Sequence, residues 1–267
     1  MKVKDKVIVV TGAGSGIGRE LVLALVAKGA WVAGVDLNAT SLTETGTLLR
    51  STEDRFAPFV VNVSDQQAVA ALPELVTARF GAVDGIINNA GIIQPFVKLQ
   101  ALDYESIHRL LNVNLFGTLY VTKAFLPLLI MRPEAHIANL SSMGGFVPVP
   151  GQTMYCAAKA AVKLMTEGLA SELLGTSVGV SVVCPGAVAT NIRGNSGLGE
   201  QKTGHTQGSM KALSPQEAAT IIIHGIESKK YHIFVGRDAQ IMDKLYRFNP
   251  QFAARTIAKK MRSLLAS

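Results

Sequence analysis

A chain of 267 residues with 48% hydrophobic content is long enough to bury one sizeable core, and α/β folds of this length commonly form a single domain. No uninterrupted apolar run reaches the roughly 18 to 20 residues of a membrane span, and the first ten residues lack the layout of a secretory signal, so a soluble, cytoplasmic protein is expected. The net charge of +7 does not point to nucleic acid: residues 229–267 carry nine basic and two acidic side chains, and the first 228 balance at seventeen of each sign.

Residues 7–10 form a short β-branched run, and runs of the same character recur at 31–35, 59–61, 83–87, 136–140 and 178–183. These predict six buried strands. Between them lie stretches of helical length and period at 16–28, 66–80, 111–131 and 154–174. The alternation predicts an α/β fold: a doubly wound, mostly parallel sheet of about seven strands with helices on both faces, in one domain. The count of seven includes a strand at 231–235, reached after a helix at 215–227 that Ser214 is expected to cap. Residues 1–236 make up this unit.

Residues 191–210 break the rhythm, being rich in Gly, Ser, Thr and Gln. They read either as a disordered insertion or as a lid spanning about 190–212, and their place just after a strand end favours the lid. In residues 237–267, Tyr246, Phe248, Phe252, Ile257, Met261, Leu264 and Leu265 interleave with Arg247, Arg255, Lys259, Lys260 and Arg262. This predicts a basic amphipathic helical extension of the same domain. Its apolar face either packs on its own or a neighbouring subunit, or makes peripheral contact with an anionic membrane. Cys156 and Cys184 are expected to be free thiols, and the five histidines have no ligand spacing, so no metal site is expected.

The turn Thr11-Gly12-Ala13-Gly14-Ser15-Gly16-Ile17-Gly18 follows the first strand and opens the first helix. Its glycines let a pyrophosphate approach backbone amides at a helix N-terminus. Asp36 ends the second strand about twenty residues later, where a carboxylate can accept from adenosine ribose hydroxyls. The same charge repels a 2'-phosphate, and neither Leu37, Asn38 nor Ser15 supplies a cation against it. The expected cofactor is therefore NAD.

Tyr155 and Lys159 lie four residues apart on a predicted helix, which places both on one face. A neighbouring ammonium and a positive nicotinamide favour the phenolate, while Lys159 holds the nicotinamide ribose. Ser142, at the end of the fifth strand, is placed to hydrogen-bond a substrate oxygen.

Taken in order, these elements resemble the short-chain dehydrogenase/reductase family, in the branch with a Thr-Gly-x-x-x-Gly-x-Gly start and a Tyr-x-x-x-Lys site. The family's Asn-Asn-Ala-Gly stands as Asn88-Asn89-Ala90-Gly91, its helical Asn as Asn114 and its Pro-Gly as Pro185-Gly186. The resemblance implies a homo-oligomer, dimer or tetramer, with Asn114, Ser142, Tyr155 and Lys159 as catalytic residues. It implies cofactor contacts from Gly12, Ser15, Gly16, Ile17, Gly18, Asp36, Asn62, Val63, Asn89, Ala90, Gly91, Tyr155, Lys159, Pro185, Gly186, Val188 and Thr190, with Thr190 on the carboxamide. Asn114 would hold a water that extends a proton path from Lys159. Asn62 stands where the family has Asp, and its amide oxygen is expected to accept from the adenine amino group.

Residues after the strand ends are expected to wall the substrate pocket: Ile92, Ile93, Phe96, Met143, Phe146, Val147, Val149, Val188 and Ile192. All are apolar, which favours a small hydrophobic alcohol or ketone. Arg193 leaves a thioester open. The expected activity is NAD-dependent interconversion of a hydrophobic secondary alcohol and its ketone. Two alternatives remain: a beta-ketoacyl thioester reductase, disfavoured by Asp36, and a catalytically silent NAD-sensing or scaffold protein, disfavoured by the filled catalytic positions.

Overall fold

The structure is a computed structural model and describes residues 1–199 and 212–261. Seven parallel strands form one sheet: β1 (Val7–Thr11), β2 (Trp31–Asp36), β3 (Phe56–Val60), β4 (Gly85–Asn88), β5 (Ala135–Leu140), β6 (Val178–Pro185) and β7 (His232–Val235). Their order is β3-β2-β1-β4-β5-β6-β7, so the winding reverses between β1 and β4 and leaves a crevice at that point. Central strands such as β1 and β5 are buried throughout and read as continuous apolar runs. At the edge, β3 begins three residues earlier than the sequence predicts, because Pro58 sits inside it, tolerated where one side of the ladder is unpaired.

Helices α1 (Gly16–Ala27) and α8 (Pro215–Glu227) cover one face, packing Leu21, Leu25, Ile222 and Ile223 on Ile8 and Val10. On α8, Ser214 caps as expected, completing a capping box with Glu217. The short α2 (Ala39–Thr47) follows β2, and α3 (Gln66–Phe80) covers the other face with the longer helices that follow.

Helix α4 (Tyr104–Leu111) runs through a π-helical turn (Asn112–Gly117) into α5 (Thr118–Ile130). By length and composition alone Tyr104–Ile130 is apolar enough to cross a membrane, although charged residues such as Arg109 and Lys123 interrupt it. Its Val121, Phe125 and Leu129 are buried among the sheet residues Val9, Ile86 and Ile137. Helix α6 (Thr153–Glu172) precedes β6, and the four-residue α7 (Ile192–Asn195) follows it. The ends of the connection holding α7 are tied together: Ala189 donates to the Leu213 carbonyl (2.9 Å) and Leu213 to the Ala187 carbonyl (3.0 Å). The start of the expected lid is thus a short pinned helix, and residues 200–211 lie outside the described residues.

The expected single C-terminal helix is two, α9 (Arg237–Phe248) and α10 (Pro250–Lys260). Asn249 is extended between them, its side chain capping the Phe252 amide (3.0 Å), and Pro250 opens the second helix. Leu264 and Leu265 lie outside the described residues. Met242, Ala253 and Ile257 from the helix pair form a small core with Val147, so the extension packs on the loop after β5.

Candidate active site

The crevice is a cleft of about 590 Å³ that runs from Asp36 to Tyr155. At its centre Gly12 has φ 68°, and a Cβ there would come within 2.8 Å of Asn89 Nδ2 and 3.0 Å of Ala90 Cα. Thr11 Oγ1 accepts from the amides of Asn89 and Ala90 (both 3.0 Å), and Asn89 Nδ2 donates to the Thr11 carbonyl (2.9 Å). These bonds stitch the ends of β1 and β4 together and leave the turn's open side facing the cleft. Gly12, Ser15, Gly16, Ile17, Val63, Asn89, Ala90, Gly91, Pro185, Gly186, Val188 and Thr190 all line it; Gly18 lies behind, against the Gly12 carbonyl.

Asp36 accepts from the Gly14 amide (2.9 Å) and the Asn38 amide (3.0 Å), one on each oxygen. A carboxylate has about four acceptor sites, so capacity remains for ribose hydroxyls. Asn62 corrects the sequence reading. Its Oδ1 already accepts from Ser64 N (3.0 Å) and Ser64 Oγ (2.8 Å), which fills both lone pairs. The amide's donor end is what it offers a base.

At the other end of the cleft, β5 delivers Ser142, whose Oγ accepts from the Gly144 amide (3.0 Å). Lys159 is 4% exposed, donates to the Leu140 carbonyl (3.0 Å), and lies 6.0 Å from the Tyr155 ring centre. Burial pulls the amine down to about 8. Burial also pushes the Tyr155 phenol above its ordinary value, opposed by a hydrogen bond with Ser142. Burial therefore favours the neutral phenol in the protein alone.

Asn114 lies in the π turn, fully buried, and grips one residue at both backbone groups: Oδ1 accepts from Ile92 N (2.9 Å) and Nδ2 donates to Ile92 O (2.8 Å). A Cβ on Gly91 would stand 2.8 Å from Asn114 Oδ1 and 3.3 Å from Lys159 Nζ, so glycine there lets the loop pass between the two side chains. All four expected catalytic residues converge on one region.

The apolar wall is narrower than the sequence reading. Ile92, Ile93, Val188 and Ile192 line the cleft. Phe96, Met143, Phe146 and Val149 do not. Phe96 lies 6.0 Å beneath the Arg193 guanidinium, and Phe146 packs edge-on to Phe234 at 6.1 Å. Met143, Phe146 and Val149 pack on the core made with α9 and α10, one layer behind the wall. Val147 is buried within that core.

Sequence reasoning missed Arg109, which lines the cleft from α4, one turn before Val113; a helix start at Tyr104 is the signal that finds it. It also missed Asn195 and Ser196, which tie α7 across the cleft to Ser15 Oγ (2.7 Å) and Ile93 N (3.0 Å). None of the described histidines lines the cleft; His136 is buried with Nε2 2.8 Å from Ser181 Oγ, and His232 pairs with Glu167 at 2.7 Å.

A family model for short chain dehydrogenases matches residues 6–201. The chain belongs to the short-chain dehydrogenase family. It is 35% identical over 262 residues, 96% of this chain and 95% of the relative, to a Mycobacterium tuberculosis protein that carries the name oxidoreductase SadH. It is 34% identical over 192 residues to the 3-oxoacyl-[acyl-carrier-protein] reductase FabG of Thermotoga maritima, covering 71% of this chain and 77% of that one. Among solved structures, a family member from Burkholderia phymatum in complex with NAD superposes with a TM-score of 0.84 at 24% identity, over 94% of this chain and 96% of that one. Another, from Burkholderia cenocepacia in complex with NADP, gives 0.80 at 26% identity, over 96% and 99%. The protein is an oxidoreductase of this family, with the family's sheet and helices.

Proposed function

We propose that the protein interconverts a hydrophobic secondary alcohol and its ketone with NAD, using Tyr155 as the acid/base. The observation that carries the reading is the cleft itself, with Asp36 at one end and the Ser142, Tyr155 and Lys159 cluster at the other. The residues fit the dinucleotide: the glycine turn leaves the space a Cβ would fill, and Asp36 retains acceptor capacity for a 2'-hydroxyl while repelling a 2'-phosphate.

The cleft residues from Gly12 to Thr190 would hold NAD, which would supply the hydride acceptor for the carbinol carbon. Ser142 donates to the substrate oxygen and holds it beside Tyr155, which removes the hydroxyl proton in oxidation and returns one in reduction. Lys159 holds the nicotinamide ribose, and its cation adds to the charge that favours the phenolate. Asn114, by gripping Ile92, fixes the wall beside Lys159. Ile93 and Ile192 line the cleft, and such an apolar wall supports an apolar substrate.

Exposed Phe116 and Leu164 support the homo-oligomer that the resemblance implies. The buried free thiols of Cys156 and Cys184 support a reducing, cytoplasmic setting. The basic outer face of α9 and α10 supports peripheral contact with anionic lipid.

A panel of 2-octanol, cyclohexanol and 1-phenylethanol, set beside 3-hydroxybutyrate and a 3-hydroxyacyl-coenzyme A and assayed with NAD and NADP, tests this. The apolar alcohols with NAD are expected to lead by at least about tenfold in kcat/KM. Turnover confined to the anionic compounds, or faster with NADP, contradicts the assignment.

A further inference from the structure

Helix α6 carries both Tyr155 and Lys159, yet its N-cap residue, Gln152, makes no side-chain cap to its own first turn. The cap comes from another loop. Gln94, after β4 and only 2% exposed, accepts from the Tyr155 backbone amide with Oε1 (3.0 Å) and donates to the Gly151 carbonyl with Nε2 (3.1 Å). Gln152, 3% exposed, answers with Nε2 on the Gln94 carbonyl (2.8 Å) and on the Gly151 carbonyl (3.1 Å). Turning the Gln94 amide over would set donor against donor at Tyr155 and oxygen against oxygen at Gly151, so the network fixes its orientation.

The arrangement is an interlock of two buried glutamines between the loop at 92–95 and the start of α6. It comes with a penalty, since Gln152 Oε1 is buried without a partner among the described residues, and an unmade buried hydrogen bond is destabilising. The bonds that are made fix the loop and the helix start in one relative geometry, which is a positional effect. The loop that carries Gln94 is itself gripped by Asn114 two residues earlier, at Ile92, and lines the cleft from Asn89 to Ile93. One short segment therefore links the π turn, the cofactor wall and the backbone of the acid/base residue.

We propose that Gln94 is a positioning residue for the reaction: by holding the Tyr155 amide it sets the first turn of α6, and with it the place of the phenol against Ser142 and Lys159. The inference rests on Tyr155 being the acid/base. A loosened first turn moves the phenol while leaving the glycine turn and Asp36 in place, so the effect belongs to the chemical step and not to NAD affinity. The titratable groups beside Tyr155 among the described residues are Lys159 and Cys156 on the same helix, and no carboxylate lines the cleft at that end.

The test compares the parent with Gln94→Met, which has similar length and neither hydrogen bond, and with Gln94→Glu, which keeps the acceptor and adds negative charge. Tyrosinate absorbance of each NAD complex is titrated and corrected with the matching Tyr155→Phe background, and 2-octanol oxidation is followed in parallel. Gln94→Met is expected to lose roughly 10- to 100-fold in kcat at every pH, with KM for NAD changed less than about threefold. Its Tyr155 transition moves alkaline as the phenol leaves Lys159. Gln94→Glu can make both hydrogen bonds while its carboxyl is protonated and is expected to lose turnover as that carboxyl ionises against the Gly151 carbonyl, a pH-conditional defect that loss of general stability would not produce. A folded Gln94→Met protein with unchanged transition and kcat overturns the proposal. Should that variant fail to fold, Gln94→Asn, one methylene too short to reach both the Tyr155 amide and the Gly151 carbonyl, takes its place, and an unchanged transition and kcat there overturns the proposal equally. If the parent shows no Tyr155 transition, or Tyr155→Phe retains full turnover, the underlying assignment of Tyr155 is what has failed.

Discussion

Lys159 is an almost wholly buried amine whose acceptor among the described residues is the Leu140 carbonyl. With its folded value down at about 8 against an ordinary 10.5, the folded protein sheds this proton earlier than the unfolded chain does. Stability therefore rises with pH between those values, and below about 8 the whole cost of burying the charge is present. Lys159→Met removes that cost together with one hydrogen bond, for a net gain of roughly 1 to 3 kcal/mol in the cofactor-free protein at pH 7. Thermal unfolding is expected to show the variant melting higher, with the gap narrowing above pH 8 while turnover is lost; a parent that melts higher at neutral pH contradicts this. Asp36 and Tyr155 are legible in the sequence from their spacing to the glycine turn and to Lys159, and Asn114 only through the family resemblance. Asn62 is not, because its acceptor is spent on a local turn with Ser64 that only coordinates reveal.

Helices α9 and α10 divide their apolar residues between two sides. Met242, Ala253 and Ile257 face Val147, while Ile241, Phe248 and Phe252 are exposed, Phe248 at 89%. The acidic residues of the pair are both engaged, Asp238 on the Ala187 amide (2.7 Å) and Asp243 on Arg247 (2.9 Å), which leaves the outer face basic. Such a face, tipped by aromatic side chains at the Asn249 corner, predicts binding to anionic lipid. Sedimentation with phosphatidylserine vesicles should retain the parent and release a Phe248→Ser/Phe252→Ser variant; equal behaviour of the two contradicts the membrane contact. Truncation is a poor test because Asp238 supports the loop that carries Val188 and Thr190. Asn249-Pro250 is a readable helix break, and period alone hid it, since the apolar spacing continues across the corner. The same ambiguity put Phe96, Met143, Phe146 and Val149 on the pocket wall: apolar residues after a strand end serve a cleft or a neighbouring helix equally well.

Across the whole molecule, the parallel sheet sends every functional segment to one edge: the turn after β1, Asp36 at the end of β2, Asn62 after β3, Asn89 after β4, Ser142 after β5 and Thr190 after β6. The opposite edge is structural, with Asp84 buried between Lys6 (3.7 Å) and Arg132 (2.8 Å) and holding the Val7 amide. Strand periodicity predicts this layout because winding direction follows from alternation of strand and helix. What periodicity does not encode are contacts between loops, such as Asn195 on Ser15, which join distant segments through short polar side chains. The most direct measurement replaces Tyr155 with Phe and records NADH formation from an apolar secondary alcohol beside calorimetric NAD binding. The account predicts NAD affinity within about threefold of the parent and a fall in turnover of roughly 100-fold or more. Turnover within about threefold of the parent would contradict it.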